Sequence, residues 1–172
     1  YYPEFRVSIN LSYVQILKSP LMMELKQIID HSGISCSGII VELTESGYLE
    51  GTPAVRSVWN DMKQLRIQIA LDDFGTGYSN LMNISNLEPD IVKLDRGFTL
   101  KALSRSYEYQ LMQYVIEMVH KLNQYVCVEG VETKEDLEKI KALGPDLIQG
   151  YYYSKPCSRD ELSLIHISEP TR

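Results

Sequence analysis

Short apolar and β-branched runs recur along the chain, each followed by a stretch with helical spacing. The runs are Phe5–Asn10, Gly38–Glu42, Ile67–Asp72, Asp90–Lys93, Tyr125–Glu129 and Leu147–Gln149. Apolar runs of this length suit strands buried on both faces, as in a parallel sheet. Between them, apolar residues return every three or four positions. Leu21, Leu25, Ile28 and Ile29 form one stripe behind Ser19–Pro20, a cap followed by proline at the first helical position, and Gly33 closes it. Val55, Trp59, Met62 and Leu65 form a second behind Thr52–Pro53, and Tyr107–Leu122 carries a third through Leu111, Val115, Met118 and Val119. Thr133 caps a fourth, with Glu135 and Asp136 in its first turn and Lys139 and Lys141 in its last, as the helix dipole favours. Such alternation predicts βαβ units with right-handed crossovers. Six strands are present where a closed barrel has eight. The expected fold is α/β, an incomplete TIM-type (β/α) barrel.

At 172 residues the chain fits one domain, and 44% apolar with 23% charged residues is an ordinary globular composition. No apolar stretch approaches the about 20 residues of a membrane helix. Tyr1-Tyr2-Pro3-Glu4 has no Met, basic region or apolar region, and reads as a cut inside a longer gene rather than a signal peptide. A net charge of −6 argues against a nucleic-acid polymer or an anionic membrane as main partner. A small phosphorylated substrate then needs a cation between itself and the acidic protein. Cys36, Cys127 and Cys157 form no CxxC or Cys/His cluster, so reduced cytosolic thiols are expected, with neither disulfides nor zinc.

The last eleven residues, 162–172, break the pattern. They resemble the in-frame translation of a transposase sequencing adapter, so the native domain is expected to occupy residues 1–161, and His166 and Glu169 are set aside. Pro170 also argues against an amphipathic terminal helix.

Polar residues sit at the carboxyl ends of the strand runs: Asn10, Glu42, Asp72, Asp73, Lys93, Glu129 and Gln149. In a (β/α) barrel those ends converge on the face that holds the active site. Taken singly, each is an ordinary solvated loop residue. Six successive strand ends behaving alike point to a pocket. Four carboxylates and one amide oxygen form a hard, oxygen-only donor set that selects Mg²⁺ or Mn²⁺ over zinc or copper. Adjacent Asp72 and Asp73 can serve two ions if the strand ends there and the chain turns. Two ions can neutralise and polarise a phosphodiester and activate water. Lys93 can orient that water or stabilise transition-state charge; the plainer alternative is a buried ion-pair partner for Asp72 and Asp73. The glycines of Phe74-Gly75-Thr76-Gly77-Tyr78-Ser79 permit a sharp turn and a loop over the ions. Glu45 suits an anchor for that loop better than a ligand. Trp59 is expected in the core of its helix, Tyr151–Tyr153 in barrel and loop packing rather than as base-stacking platforms, and His120 in a packing or surface role.

The blocks SINLS (8–12), ELTES (42–46), DDFGTGYS (72–79), VKLD (92–95), EGVET (129–133) and QGYYYSKP (149–156) together resemble the signatures of bacterial EAL domains, in the family's order. The resemblance covers nearly all of residues 5–156. It implies a bacterial signalling hydrolase, a phosphodiesterase that opens cyclic-di-GMP to linear pGpG with two Mg²⁺ or Mn²⁺ ions. By position it makes Asn10, Glu42, Asp72, Asp73 and Glu129 metal ligands, with Glu129 alternatively a general base. It makes Lys93, Glu129 and Asp73 catalytic, and Lys93 a partner of the reacting water or of the metal cluster. Phe74, Gly75, Thr76, Gly77, Tyr78 and Ser79 would form the loop coupling metal to substrate, with Glu45 as its anchor, and Gln149 would help arrange the site.

The family's Glu-Ala-Leu block precedes the first residue here, so the first one or two βα units are expected to be missing. The chain alone is then expected to be inactive within a competent parent enzyme. The alternative is a degenerate domain that senses cyclic-di-GMP without cleaving it. An enolase-type barrel shares the acidic strand ends but does not account for the DDFGTGYS loop. Expected partners are cyclic-di-GMP, a second copy in a homodimer, and sensory domains upstream in the parent. The domain is expected in the cytoplasm, whether the parent is free or membrane-tethered.

Overall fold

The computed structural model describes residues 5–17, 20–44, 52–76, 84, 87–158 and 160–162. Strands β1 (Val7–Asn10), β2 (Ile39–Thr44), β3 (Gln68–Phe74), β4 (Ile91–Leu94), β5 (Tyr125–Glu129) and β6 (Leu147–Gln149) form one sheet in chain order. Every neighbouring pair is parallel, and the sheet curls into a half-barrel. The expected fold is therefore present. Helices α1 (Tyr13–Leu17), α2 (Leu21–Ser32), α3 (Pro53–Gln64), α4 (Arg96–Ser104), α5 (Ser106–Lys121) and α6 (Lys134–Lys141), with a 3-10 turn at Cys36–Gly38, complete the described elements. None of the described helices is long and apolar enough to cross a membrane.

Local chemistry explains the helix ends. Thr52 caps α3 by accepting from the Val55 amide, with proline in the first turn, and Thr133 forms a capping box with Asp136 on α6. The start of α2 departs from the sequence expectation. Pro20 is itself the N-cap, with no side-chain cap bond, and Ser19 lies outside the described residues. Helix α4 has no clear apolar repeat, because Gly97 and Thr99 interrupt it. Its start is fixed instead by Asp95, whose carboxylate accepts from the Gly97 and Phe98 amides.

Alternation along the strands divides the core in two. Val41, Leu43, Ile69, Leu71, Val92, Leu94, Val126 and Val128 face the helices and join Trp59, Met62, Met112, Ile116 and Ile140 in one continuous cluster. Ile40, Ala70, Ile91 and Cys127 form a separate cluster on the concave side. One step further along each of those strands stand Glu42, Asp72, Lys93 and Glu129. The concave face therefore changes from an apolar layer to a charged one within a single pleat. A cavity of about 680 Å³ opens over both layers.

The edges are less covered than the sequence runs suggest. β1 is mostly exposed and β6 partly so. An edge strand lacks a neighbour on one side, so its apolar residues are not enclosed. Tyr151, Tyr152 and Tyr153 are exposed rather than packed, with Lys155 Nζ 5.9 Å from the Tyr151 ring centre. Trp59 is buried in the core, and His120 pairs with Asp146 at 2.9 Å, as expected of packing and surface residues. The three cysteines are free.

A Cβ built on Gly150 would collide with the backbone of Val131, which cannot rotate away. Gly150→Ala is predicted to cost about 1–3 kcal/mol by urea unfolding, as overpacking does. Tyr114→Ala, on the exposed side of α5, should change stability by less than about 0.5 kcal/mol.

Candidate active site

Strand register brings the sequence-predicted residues to one end of the sheet. Asn10 pairs with Glu42, Thr44 with Asp72, and Glu129 with Gln149. On β3 the strand does not stop at the paired acids, as the sequence reading required; it continues to Phe74 through a bulge. Leu71 pairs with Val92 and Phe74 with Leu94, so Asp72 and Asp73 together face the single residue Lys93. The extra residue returns Phe74 to the helix-side core and frees Asp73 at the rim. Asp73 takes a φ of 60°, a left-handed conformation that aspartate tolerates better than most residues. Gly75 follows at φ 105°, close against the Phe98 ring.

Lys93 is the centre of the cluster. Its ammonium donates to Glu42 Oε2 at 2.7 Å and lies 2.7 Å from Glu129 Oε1 and 3.0 Å from Asp72 Oδ1. Lys93 and Glu42 are buried, at 4% and 7% exposure. The Asp72 contact is an ion pair at 3.0 Å, and it is the one tie that this buried oxygen has among the described residues. Lys93 thus serves three carboxylates from three strands. The plainer sequence alternative, a partner for Asp72 and Asp73, holds for Asp72 alone among these ion pairs.

The electrostatics follow from burial. Burial pulls the Lys93 pKa down, but the contacts with Glu129, Glu42 and Asp72 outweigh it and hold the ammonium above its ordinary value of 10.5. Glu129 is raised by burial, against the lowering effect of Lys93. Asp73 is raised by burial and then by the neighbouring charges of Asp72 and Asp95. Just below, burial pushes the Cys127 thiol up to about 12, so it is a small neutral wall residue rather than a thiolate ligand.

These residues fit a divalent cation. Three carboxylates face one ammonium, an excess of negative charge that Asp73 increases, and uncompensated buried charge is costly. All the donors are oxygen, and Asp72 Oδ1 is buried without a hydrogen bond. Among the described residues, no three His, Cys, Asp or Glu side chains already stand at metal-ligand spacing. The carboxylates are gathered around Lys93 Nζ instead, so a cation here would have to share them with the ammonium.

Of the predicted residues, Glu42, Asp72 and Glu129 each meet Lys93, while Asp73, Phe74, Gly75 and Thr76 continue along the bulged end of β3. Asn10 and Gln149 occupy the sheet's two edge strands at the same end. Glu45, Gly77, Tyr78 and Ser79 lie outside the described residues. Two charged contributors went unassigned in the sequence reading. Asp95 caps α4 and acts on Asp73, and Arg96 reaches Glu132 at 2.6 Å. Asp95, directly after β4 and two residues before Gly97, carries an N-cap signal.

A raised lysine pKa means that its contribution to stability is complete below the ordinary value of 10.5 and is lost as pH rises through the folded value. The raised carboxylates Glu129 and Asp73 have the same sign in a lower window: as pH climbs through the carboxylate range they ionise at a cost in the folded chain, and stability falls. Removing the ammonium leaves three carboxylates unbalanced. In chelator, Lys93→Met is predicted to lose about 3–5 kcal/mol near neutral pH. It should recover stability on acidification and lack the part of the alkaline loss due to Lys93. Urea unfolding followed by circular dichroism across pH checks this.

A model of the EAL domain family matches residues 2–156. The chain is 32% identical over 154 residues to the cyclic di-GMP phosphodiesterase PdeF of Escherichia coli, covering 90% of this chain and 21% of that protein. It thus spans about a fifth of the length of this curated relative. The EAL enzyme Bd1971, bound to cAMP and cyclic-di-GMP, superposes with a TM-score of 0.86 at 30% identity over 94% of this chain and 43% of its own. The manganese/cy-diGMP complex of Klebsiella pneumoniae BlrP1 superposes with a TM-score of 0.83 at 25% identity over 90% of this chain and 40% of its own. The half-barrel, the charged cluster at its strand ends and the match over nearly the whole chain lead to one assignment: this chain belongs to the EAL domain family.

Proposed function

We propose that the chain supplies most of the active site of a two-cation phosphodiesterase that hydrolyses cyclic-di-GMP to linear pGpG. The observation that carries this reading is the convergence of Glu42, Asp72 and Glu129 on Lys93 at the carboxyl end of a parallel half-barrel. The phosphodiesterase name of the E. coli relative and the manganese/cy-diGMP complex of BlrP1 support it. Asn10, Glu42, Asp72, Asp73 and Glu129 would hold two Mg²⁺ or Mn²⁺ ions, which when bound neutralise phosphate charge and lower the pKa of water.

The chain's own groups then have distinct work. Asp73, carried to the rim by the bulge, extends the acidic face beyond Asp72. Glu129, with its raised pKa, is suited to take a proton at its carboxylate as water adds to phosphorus and the ester P–O bond breaks. The leaving hydroxyl gains its proton from solvent. Lys93 keeps its charge at any physiological pH and stabilises negative charge accumulating on the phosphate. Gln149 lines the cavity beside Lys93 and can orient the substrate. The loop role of Glu45 and residues 74–79 is part of the same proposal.

The exposed edges of β1 and β6 support a further point: the six strands are not active by themselves, and two more βα units are needed to close the site. We place sensory domains elsewhere in the parent, in keeping with the fraction of its relative that the chain spans. The cytoplasmic location proposed for the domain follows its nucleotide substrate.

Joined to two closing βα units, the chain is predicted to release linear pGpG in Mg²⁺ or Mn²⁺ and to stop in excess chelator. Glu129→Ala should lower turnover by at least about 100-fold, as loss of general acid–base catalysis does. Tight cyclic-di-GMP binding without turnover would make the domain a sensor. The absence of both binding and turnover would contradict the proposed substrate.

A further inference from the structure

Beyond the cluster, β4 and β5 are tied a second time, and the two ties repeat with the same offset. Lys93 Nζ meets Glu129 Oε1 at 2.7 Å; three residues later on each segment, Arg96 Nη2 meets Glu132 Oε1 at 2.6 Å. Both cations come from the β4–α4 side and both acids from the segment that continues β5.

The second tie is seated in a notch. Gly130 directly follows Glu129, has a φ of 80°, and carries no Cβ; the Cα, Cβ and Cγ of Arg96 occupy the space that one would fill. The arginine stem therefore lies on the backbone next to Glu129, and any other residue at 130 would push it off. Each side of the notch is fixed independently. The Asp95 amide bonds to the Phe74 carbonyl at 3.0 Å, and the Asp95 carboxylate caps the helix that begins with Arg96. Val131, fully buried, donates to the Gln149 carbonyl and accepts from the Tyr152 amide, and the capping box of α6 begins at Thr133. Glu129 and Glu132 thus stand on a short segment held at β6 on one side and by Arg96 on the other.

We infer that Arg96 and Glu132 are positioning residues that hold the end of β5 so that Glu129 stays against Lys93. An exposed ion pair is worth about 0–1 kcal/mol, so the pair has little leverage on global stability. Its leverage is on where a buried carboxylate points. That this geometry serves catalysis rests on the function proposed above; the positioning itself does not.

The test uses the 172-residue chain without added metal. Amine acetylation with acetic anhydride, followed residue by residue by mass spectrometry, reads how well Lys93 is enclosed. In Arg96→Ala and Glu132→Ala, Lys93 should react about two- to fivefold faster, the scale of an exposed ion pair. Lys63, Lys101 and Lys139 should keep their rates, and the urea midpoint should hold. Arg96→Lys, which retains charge without the guanidinium fork, should restore at least half of the protection. An unchanged Lys93 rate in both alanine variants would overturn the inference. So would a general rise across all lysines, because the pair would then be merely structural. Mn²⁺ binding followed by electron paramagnetic resonance separates the two readings. Weaker binding in the variants extends the positioning to the cation site. Absence of binding in the unaltered chain counts against the proposed cation function and leaves the Lys93 result standing.

Discussion

One buried ammonium sets the terms for the concave end of this half-barrel. Lys93 is the cation that allows Glu42, Asp72 and Glu129 to be brought together out of water on three different strands. Removing one member of a buried ionic group leaves the others uncompensated, so the arrangement is kept or lost as a unit. The apolar layer of Ile40, Ala70, Ile91 and Cys127 beneath it supplies the low-polarity floor that strengthens these interactions. The helix-side core holds the strands in the register that makes the carboxylates meet.

The same cluster accounts for a tension in the chemistry. Its oxygens suit a divalent cation, yet they are gathered around Lys93 rather than spaced around a metal position. On the proposed function, cation binding and the lysine compete for the same negative charge. The β3 bulge eases that competition by adding Asp73 without displacing Phe74 from the core. The Arg96–Glu132 tie, outside the contested centre, can hold the β4 and β5 ends while the inner contacts rearrange.

Much of this was legible in the sequence because strand periodicity and barrel topology convert distant positions into neighbours. The runs ending in Glu42, Lys93 and Glu129 predicted both the strands and the shared end of the sheet. Thr52 and Thr133 announced their helices through cap chemistry. What was not legible depended on three-dimensional detail. An Asp-Asp pair at a strand end gives no sign that the strand continues through a bulge, since that depends on pairing with β4. Helix α4 has a glycine and a threonine where an apolar repeat would mark it, and only Asp95 betrays its start. The exposure of Tyr151–Tyr153 depends on which strands and loops lie beside β6, which residue type alone does not determine. Nothing in the sequence pairs Arg96 with Glu132, because the notch at Gly130 that seats the arginine exists only in three dimensions.

The most direct test of the central claim is a crystal structure of the chain soaked with Mn²⁺, with data collected for manganese anomalous scattering. The account predicts an anomalous peak between Asp72 and Glu129, with Lys93 Nζ moved away from at least one of its three carboxylates. An anomalous map empty at the cluster under saturating Mn²⁺, with the three lysine contacts intact, would contradict it.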